Sequence, residues 1–269
     1  MERMTNNSFI TKTFMTNSLL FHQLHNEMTE RPFLKDNPVI KQTKKGMLNS
    51  DGLAEAIRQY VRFPEKIVKM LQGAALHFAK DHPVSVELER NWNQENGSAT
   101  GGVPHVQILK AGLKRDLSID ADDVQASKAT ERFISTVLSG MKESSLFALG
   151  QAYALEASAV PELAILIGPA LNAYADMVGK TQPIKKIALD ENGSYVLPKI
   201  ETEAQAYAMT MSDWFALHIV DFEVGHRDYL REKAILVLTG DTEQAEFARG
   251  YRNVLDAMDE WWMGLSKGE

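Results

Sequence analysis

Apolar residues recur at three- and four-residue intervals through most of this chain, and that period admits helices and little else. Leu53, Ile57, Tyr60, Phe63, Ile67, Leu71, Ala75 and Phe78 keep it without interruption, with Asp51 as a candidate N-cap and Pro64 predicting a kink. The same reading predicts helices over Ser18–Thr29, Pro38–Leu48, Pro83–Asn96, a stretch from Pro104, then Asp122–Met141, Ser144–Glu156, Pro161–Val178, Glu203–Tyr229, Arg231–Leu238 and Thr242–Leu265. One segment breaks the pattern. Ile187–Leu189 and Tyr195–Leu197 flank an Asn192-Gly193 pair, so residues Gly179 to Ile200 are expected to form a small β-hairpin insertion. The expectation is an all-α fold in a single domain over residues 1–269, carrying the 179–200 hairpin.

At 269 residues the chain can bury a full core as one large domain. The net charge of -7, with no long Lys/Arg run, argues against a nucleic-acid partner. Cysteine is absent, which removes disulfides, thiolate metal sites and cysteine nucleophiles and fits a reducing, cytoplasmic setting. Met1 to Phe14 has no secretory pattern, and the longest apolar region, Ala159 to Ala170, holds Pro161 and Glu162, so no membrane span is expected.

Against this background a few donor residues stand out on apolar helices. Glu95 ends one predicted helix and His105 begins the next, across a loop that Gly97, Gly101 and Gly102 make easy to fold back. Glu156 closes the run Phe147 to Leu155, and a carboxylate buried there needs a partner, a proton or a cation. His218, Asp221, Glu223 and His226 share one further helix. On a regular helix His218 and His226 lie about 80° apart, and a single π-type turn between them would bring Glu223 into line with both. Asp221 needs no irregularity to accompany His218, but it points about 140° away from His226. Imidazole with carboxylate suits iron or manganese. Trp92 and Tyr153, each three residues before a candidate ligand, are expected either to line a pocket or to fill the core. The other histidines, His22, His25, His77 and His82, lack such a setting and read as structural or surface residues.

The order of these motifs resembles the haem-oxygenase-like di-iron oxidases, with CADD-like proteins as the nearest members. Asn91-Trp92-Asn93-Gln94-Glu95-Asn96-Gly97 leading to His105 resembles the first ligand motif of that family, and Ala152-Tyr153-Ala154-Leu155-Glu156 its second. Gln59 to Pro64 resembles the kinked helix beneath the site. The resemblance implies a haem-oxygenase-like seven-helix bundle and the ligands Glu95, His105, Glu156, His218, a carboxylate and His226. The chain departs from the pattern in two places. The family places a carboxylate four residues after the first histidine of the last motif and the second histidine at the seventh, whereas here Phe222 takes the carboxylate position and His226 is the eighth. Asp221 or Glu223 is left as the sixth ligand, Glu223 standing at the family's offset from His226. The stretch from Glu156 to His218 is also longer than in the family, and the hairpin insertion accounts for the surplus.

The leading expectation is a non-haem di-iron, O2-activating oxidase or oxygenase that holds two iron ions, or manganese, and acts on a small or medium organic substrate. The alternatives are a metal-free oxidase of the same fold and a ligand-binding or protein-interaction protein of CADD-like type. Substrate identity and oligomeric state stay open, a homodimer being one option.

Overall fold

The computed structural model describes residues 18–185 and 197–269, and among them every regular element is helical. In chain order these are α1 (18–29), α2 (Pro32–Lys35), α3 (Pro38–Lys44), α4 (Ser50–Val61), α5 (Pro64–Ala75), α6 (Pro83–Glu95), α7 (His105–Gly112), α8 (Lys128–Gly140), α9 (Ser145–Pro161), α10 (Gly168–Met177), α11 (Glu203–Ala208), α12 (Met211–Leu217), α13 (Glu223–Ile235) and α14 (Asp241–Lys267). Three π-helical stretches interrupt them: Leu113–Leu117 after α7, Glu162–Ile167 between α9 and α10, and His218–Phe222 between α12 and α13. The hairpin expected within 179–200 has its turn and most of both strands in residues 186–196, outside the described residues; the described flanks are irregular.

Local chemistry sets most boundaries. Pro32, Pro38, Pro64 and Pro83 each open a helix, where a missing N–H costs nothing. Side-chain oxygens of Asn37, Ser127, Ser144, Thr202 and Thr210 accept the first free N–H groups of the helices they precede. Two expectations are corrected. The cap of α4 is Asn49, which accepts from the Gly52 N–H, and Asp51 lies inside the first turn. The long helix expected over Glu203–Tyr229 is broken at Met209, because Thr210 caps a new helix there, and that helix runs past Tyr229 to Ile235.

Helix α9 sits at the centre. Residues Phe147 to Ser158 are all buried, so it shows no polar face and must be covered on every side. Its closest partner is α14, and the two backbones nearly touch: a Cβ on Gly150 would stand 2.0 Å from the Phe247 carbonyl oxygen, and one on Gly250 2.0 Å from that of Phe147. Further along α14, Trp261 stacks on Phe133 of α8 at 4.5 Å and donates its indole N–H to Thr130 Oγ1 at 3.0 Å. The helical run Ser145–Met177, 33 residues, is long and apolar enough to cross a membrane by length and composition, which the sequence reading did not anticipate. Of its most apolar window, 67% is buried inside the bundle, the position of a core helix.

Candidate metal centre

The first two candidate ligands reach each other through a loop that only glycine allows. Glu95 is the last residue of α6, and the chain then turns through Gly97, Gly101 and Gly102, all at positive φ. A Cβ on Gly97 would lie 2.6 Å from the Val103 carbonyl, so the loop closes on bare backbone. Pro104 then starts α7, whose first residue is His105. The outcome is a separation of 3.4 Å between His105 Nδ1 and Glu95 Oε1.

The remaining donors come from α9 and from the π-turn before α13. That turn spans His218–Phe222 and absorbs the extra residue between the two histidines. His218 Nε2 then stands 3.2 Å from His105 Nδ1. Four residues back, the Trp214 carbonyl oxygen accepts from His218 Nδ1–H at 2.7 Å, which turns the Nε2 lone pair inward. His226 Nδ1 faces three carboxylates, with Glu156 Oε2 at 3.2 Å, Glu223 Oε2 at 3.7 Å and Glu95 Oε1 at 3.9 Å. One donor atom each from Glu95, Glu223 and His226 lie within 4.8 Å of one another. Phe222, at the position where the resemblance implies a carboxylate, instead stacks against the His105 ring at 5.0 Å and fixes its plane.

Burial dominates the electrostatics. It pushes the His218 imidazole down to about 3, with His105 adding to the shift, so the His218 ring is neutral at any ordinary pH. Burial would raise the Glu95 carboxyl, but His105, His226 and His218 together hold it at about 2. Glu223 is pushed up to about 7 by burial, against the pull of His226. For His226 burial favours the neutral ring, yet the Glu156 and Glu223 charges outweigh it and raise the imidazole well above its ordinary value.

Glu95, Glu223 and His226 could together hold a metal ion. His105 Nδ1 lies 3.2 Å from His218 Nε2 and 3.4 Å from Glu95 Oε1, and His226 Nδ1 faces the carboxylates across the same space. Three oxygen-donating and three nitrogen-donating side chains without a thiolate form a set suited to iron or manganese. Beside them lies a cavity of about 60 Å³ with an apolar wall that includes Tyr60, Phe63, Ile67, Leu163 and Trp214. That is room for a few water-sized molecules.

Other expected site residues lie elsewhere. Asp221 is exposed on the outer face of the π-turn and is no part of the cluster. Tyr153 packs away from the cavity, against Phe21 at 5.0 Å, Phe247 at 5.7 Å and Tyr251 at 6.0 Å. Trp92 is half-buried against the core and does not line the cavity either. As the sequence suggested, His82 caps α6, His77 binds the Met141 carbonyl, and His22 and His25 are at the surface.

Several contributors escaped the sequence reading. Asn91, fully buried one turn before Glu95, donates to Glu156 Oε1 at 3.1 Å; its four-residue spacing from Glu95 was the available signal. Glu162 is 1% exposed and neither carboxylate oxygen has a hydrogen-bond partner. Burial pushes it up to about 8, the nearby Ser158 hydroxyl easing the rise and the Glu223 charge adding to it.

Known proteins give a consistent picture without a function. A family model described as "Domain of Unknown Function with solved-structure structure (DUF3865)" matches residues 20–176, more than half of the chain. That range includes Glu95, His105 and Glu156 and stops short of His218, Glu223 and His226. A crystal structure of a CADD-like protein of unknown function from Nostoc punctiforme is 26% identical with a TM-score of 0.75, over 94% of this chain and 98% of that one. A second crystal structure of a CADD-like protein of unknown function from Nostoc punctiforme gives 25% identity and a TM-score of 0.71, over 94% and 96%. No curated protein matches the chain.

Proposed function

The chain belongs to the DUF3865 family, and we propose that this member is a non-haem, O2-activating oxidase or oxygenase of haem-oxygenase-like, seven-helix type. Two iron ions, or manganese in their place, would be held by Glu95, His105, Glu156, His218, Glu223 and His226. The observation that carries this reading is the convergence of three imidazoles and three carboxylates, from four separate parts of the chain, with ring lone pairs and carboxylate oxygens facing one another inside the bundle. Such a set is unfavourable without a proton or cation between its members. Iron bound there supplies one-electron redox chemistry and the capacity to activate O2.

The protein's own groups do the rest. The Trp214 carbonyl and the indole ring stacked 3.8 Å from the His218 ring orient that imidazole. Asn91 leaves one Glu156 oxygen occupied and turns the other toward His226. Tyr60, Phe63, Leu163 and Trp214 keep bulk water out and give an organic substrate an apolar wall. A cavity of about 60 Å³ limits that substrate to a small one unless the wall shifts. The second reading, a metal-free protein of the same fold, is favoured by one feature. His226 as an imidazolium would pair with Glu156 at 3.2 Å and close the cluster without iron.

Anaerobic titration of the purified protein with ferrous iron, then exposure to O2 under stopped-flow absorption, separates the two. Two ions bound per chain and a transient visible band support the oxidase. Absence of stoichiometric binding at the cluster overturns it.

A further inference from the structure

Resting on the metal reading above, we infer that Gln94, oriented by Arg90, is a positioning residue that fixes which nitrogen of His226 faces the cluster. Gln94 and His226 lie 2.7 Å apart, amide Oε1 to ring Nε2, although they come from different helices, α6 and α13. The same Oε1 accepts from Arg90 Nη1 at 2.7 Å. Arginine can only donate, so the Gln94 oxygen must be the atom that meets it, and the amide orientation is settled. An amide oxygen can only accept, so Nε2 of His226 must carry the proton. The lone pair of a neutral His226 then sits on Nδ1, the atom that faces Glu156, Glu223 and Glu95.

Arg90 is itself held. It donates to Glu87 Oε1 from Nε at 2.9 Å and lies over the Tyr229 ring at 5.0 Å. Tyr229 is three residues beyond His226 on α13, so Arg90 grips the same helix whose imidazole it orients at one remove. Gln94 and Arg90 also line an open polar groove with Asn93, Asn96 and Ser98. The half-buried Gln94 therefore stands between that groove and the His226 ring, where a water molecule would otherwise compete for Nε2–H. An outer-shell acceptor of this kind raises ligand basicity and typically contributes ten- to a hundredfold in metal affinity.

The test compares wild type with Gln94→Met, which keeps the length and loses the acceptor, and Gln94→Glu, which keeps an acceptor. Anaerobic equilibrium dialysis should show ferrous affinity lowered about ten- to a hundredfold in Gln94→Met and close to wild type in Gln94→Glu. A metal-free readout runs beside it. In 15N-histidine spectra the His226 Nε2–H should exchange slowly with water in wild type and Gln94→Glu, and fast in Gln94→Met. Should Gln94→Met fail to fold, Gln94→Asn serves instead, since it withdraws the oxygen by one methylene and keeps the polarity. Equal iron affinity and equal exchange in wild type and variant overturn the inference. Absence of iron binding by wild type, with the exchange difference intact, overturns the oxidase reading and leaves the role of Gln94 standing.

Discussion

His105 Nδ1 and His218 Nε2 stand 3.2 Å apart, although 113 residues separate them in sequence. The other nitrogen of His218 is committed to the Trp214 carbonyl, so its Nε2 can only accept. His105 Nδ1 must then either donate a proton to it or share a cation with it, and Glu95 Oε1 competes for the same atom from 3.4 Å. The outcome depends on what fills the space between, which makes ligand binding and stability measurable together.

Iron should stabilise the fold. Binding to the native state alone adds about 2.7 kcal/mol per site at a hundredfold excess over Kd, which for a chain this long means a melting point several degrees higher. Differential scanning calorimetry with ferrous iron, and again after a chelator, should show the rise and its reversal. An unchanged melting point in saturating iron would contradict the folded cluster as its binding place.

Glu223→Ala should lose bound iron, with affinity falling at least tenfold, whereas Asp221→Ala should bind as wild type. The reason is position: Glu223 Oε2 lies 3.7 Å from His226 Nδ1, and Asp221 is exposed on the far side of the π-turn. Iron per chain, measured by plasma emission after dialysis, decides it. Loss in the Asp221 variant alone reverses the assignment.

Glu162→Gln should stabilise the protein, and more so in alkali. The carboxyl of Glu162 is held at about 8 in the fold, above its ordinary 4.5, so the folded state binds the extra proton between those values. Its cost is small below about pH 4.5, grows as pH rises through 8 and is constant above, reaching on the order of a few kcal/mol. Thermal melts of both proteins at pH 5 and pH 9 should show a larger gap at pH 9. A gap that does not change with pH refutes the raised carboxyl.

Gly150→Ala should destabilise by roughly 1–3 kcal/mol or more, because its new methyl would meet the Phe247 carbonyl at 2.0 Å. Gly225→Ala is the control: its nearest neighbour is Tyr229 at 3.8 Å, and helix propensity alone should make it neutral or slightly stabilising. Urea denaturation of the two variants gives the comparison, and equal midpoints would mean that the α9–α14 approach is not tight.

Period and counting carried much of this architecture. The apolar rhythm marked most helices, Pro104 and His105 fell where α7 begins, and counting back from His226 singled out Glu223 and the π-turn that its position requires. Those signals are local, so one sequence suffices to read them. The pocket residues were not legible for a physical reason. Tyr153 does lie near the face of Glu156, but α9 is buried all round, and a same-face argument cannot say which neighbour each side meets. Asn91 and Gln94 act through partners on other helices, which no spacing along one helix announces. The cap at Thr210 was missed because apolar periodicity runs straight across it.

The paired glycines at 150 and 250 have a consequence in time as well as in space. Glu156 sits on α9, the helix that α14, residues 241 to 267, approaches most closely. During synthesis every candidate ligand, His226 included, is therefore made before the element that holds α9 in place. A nascent chain paused before residue 241 carries the full donor set, with the Gly150 side of the Glu156 helix not yet covered. Full burial of the helix that carries Glu156 thus waits on residues 241 to 267, the segment that brings Gly250 against the Phe147 carbonyl.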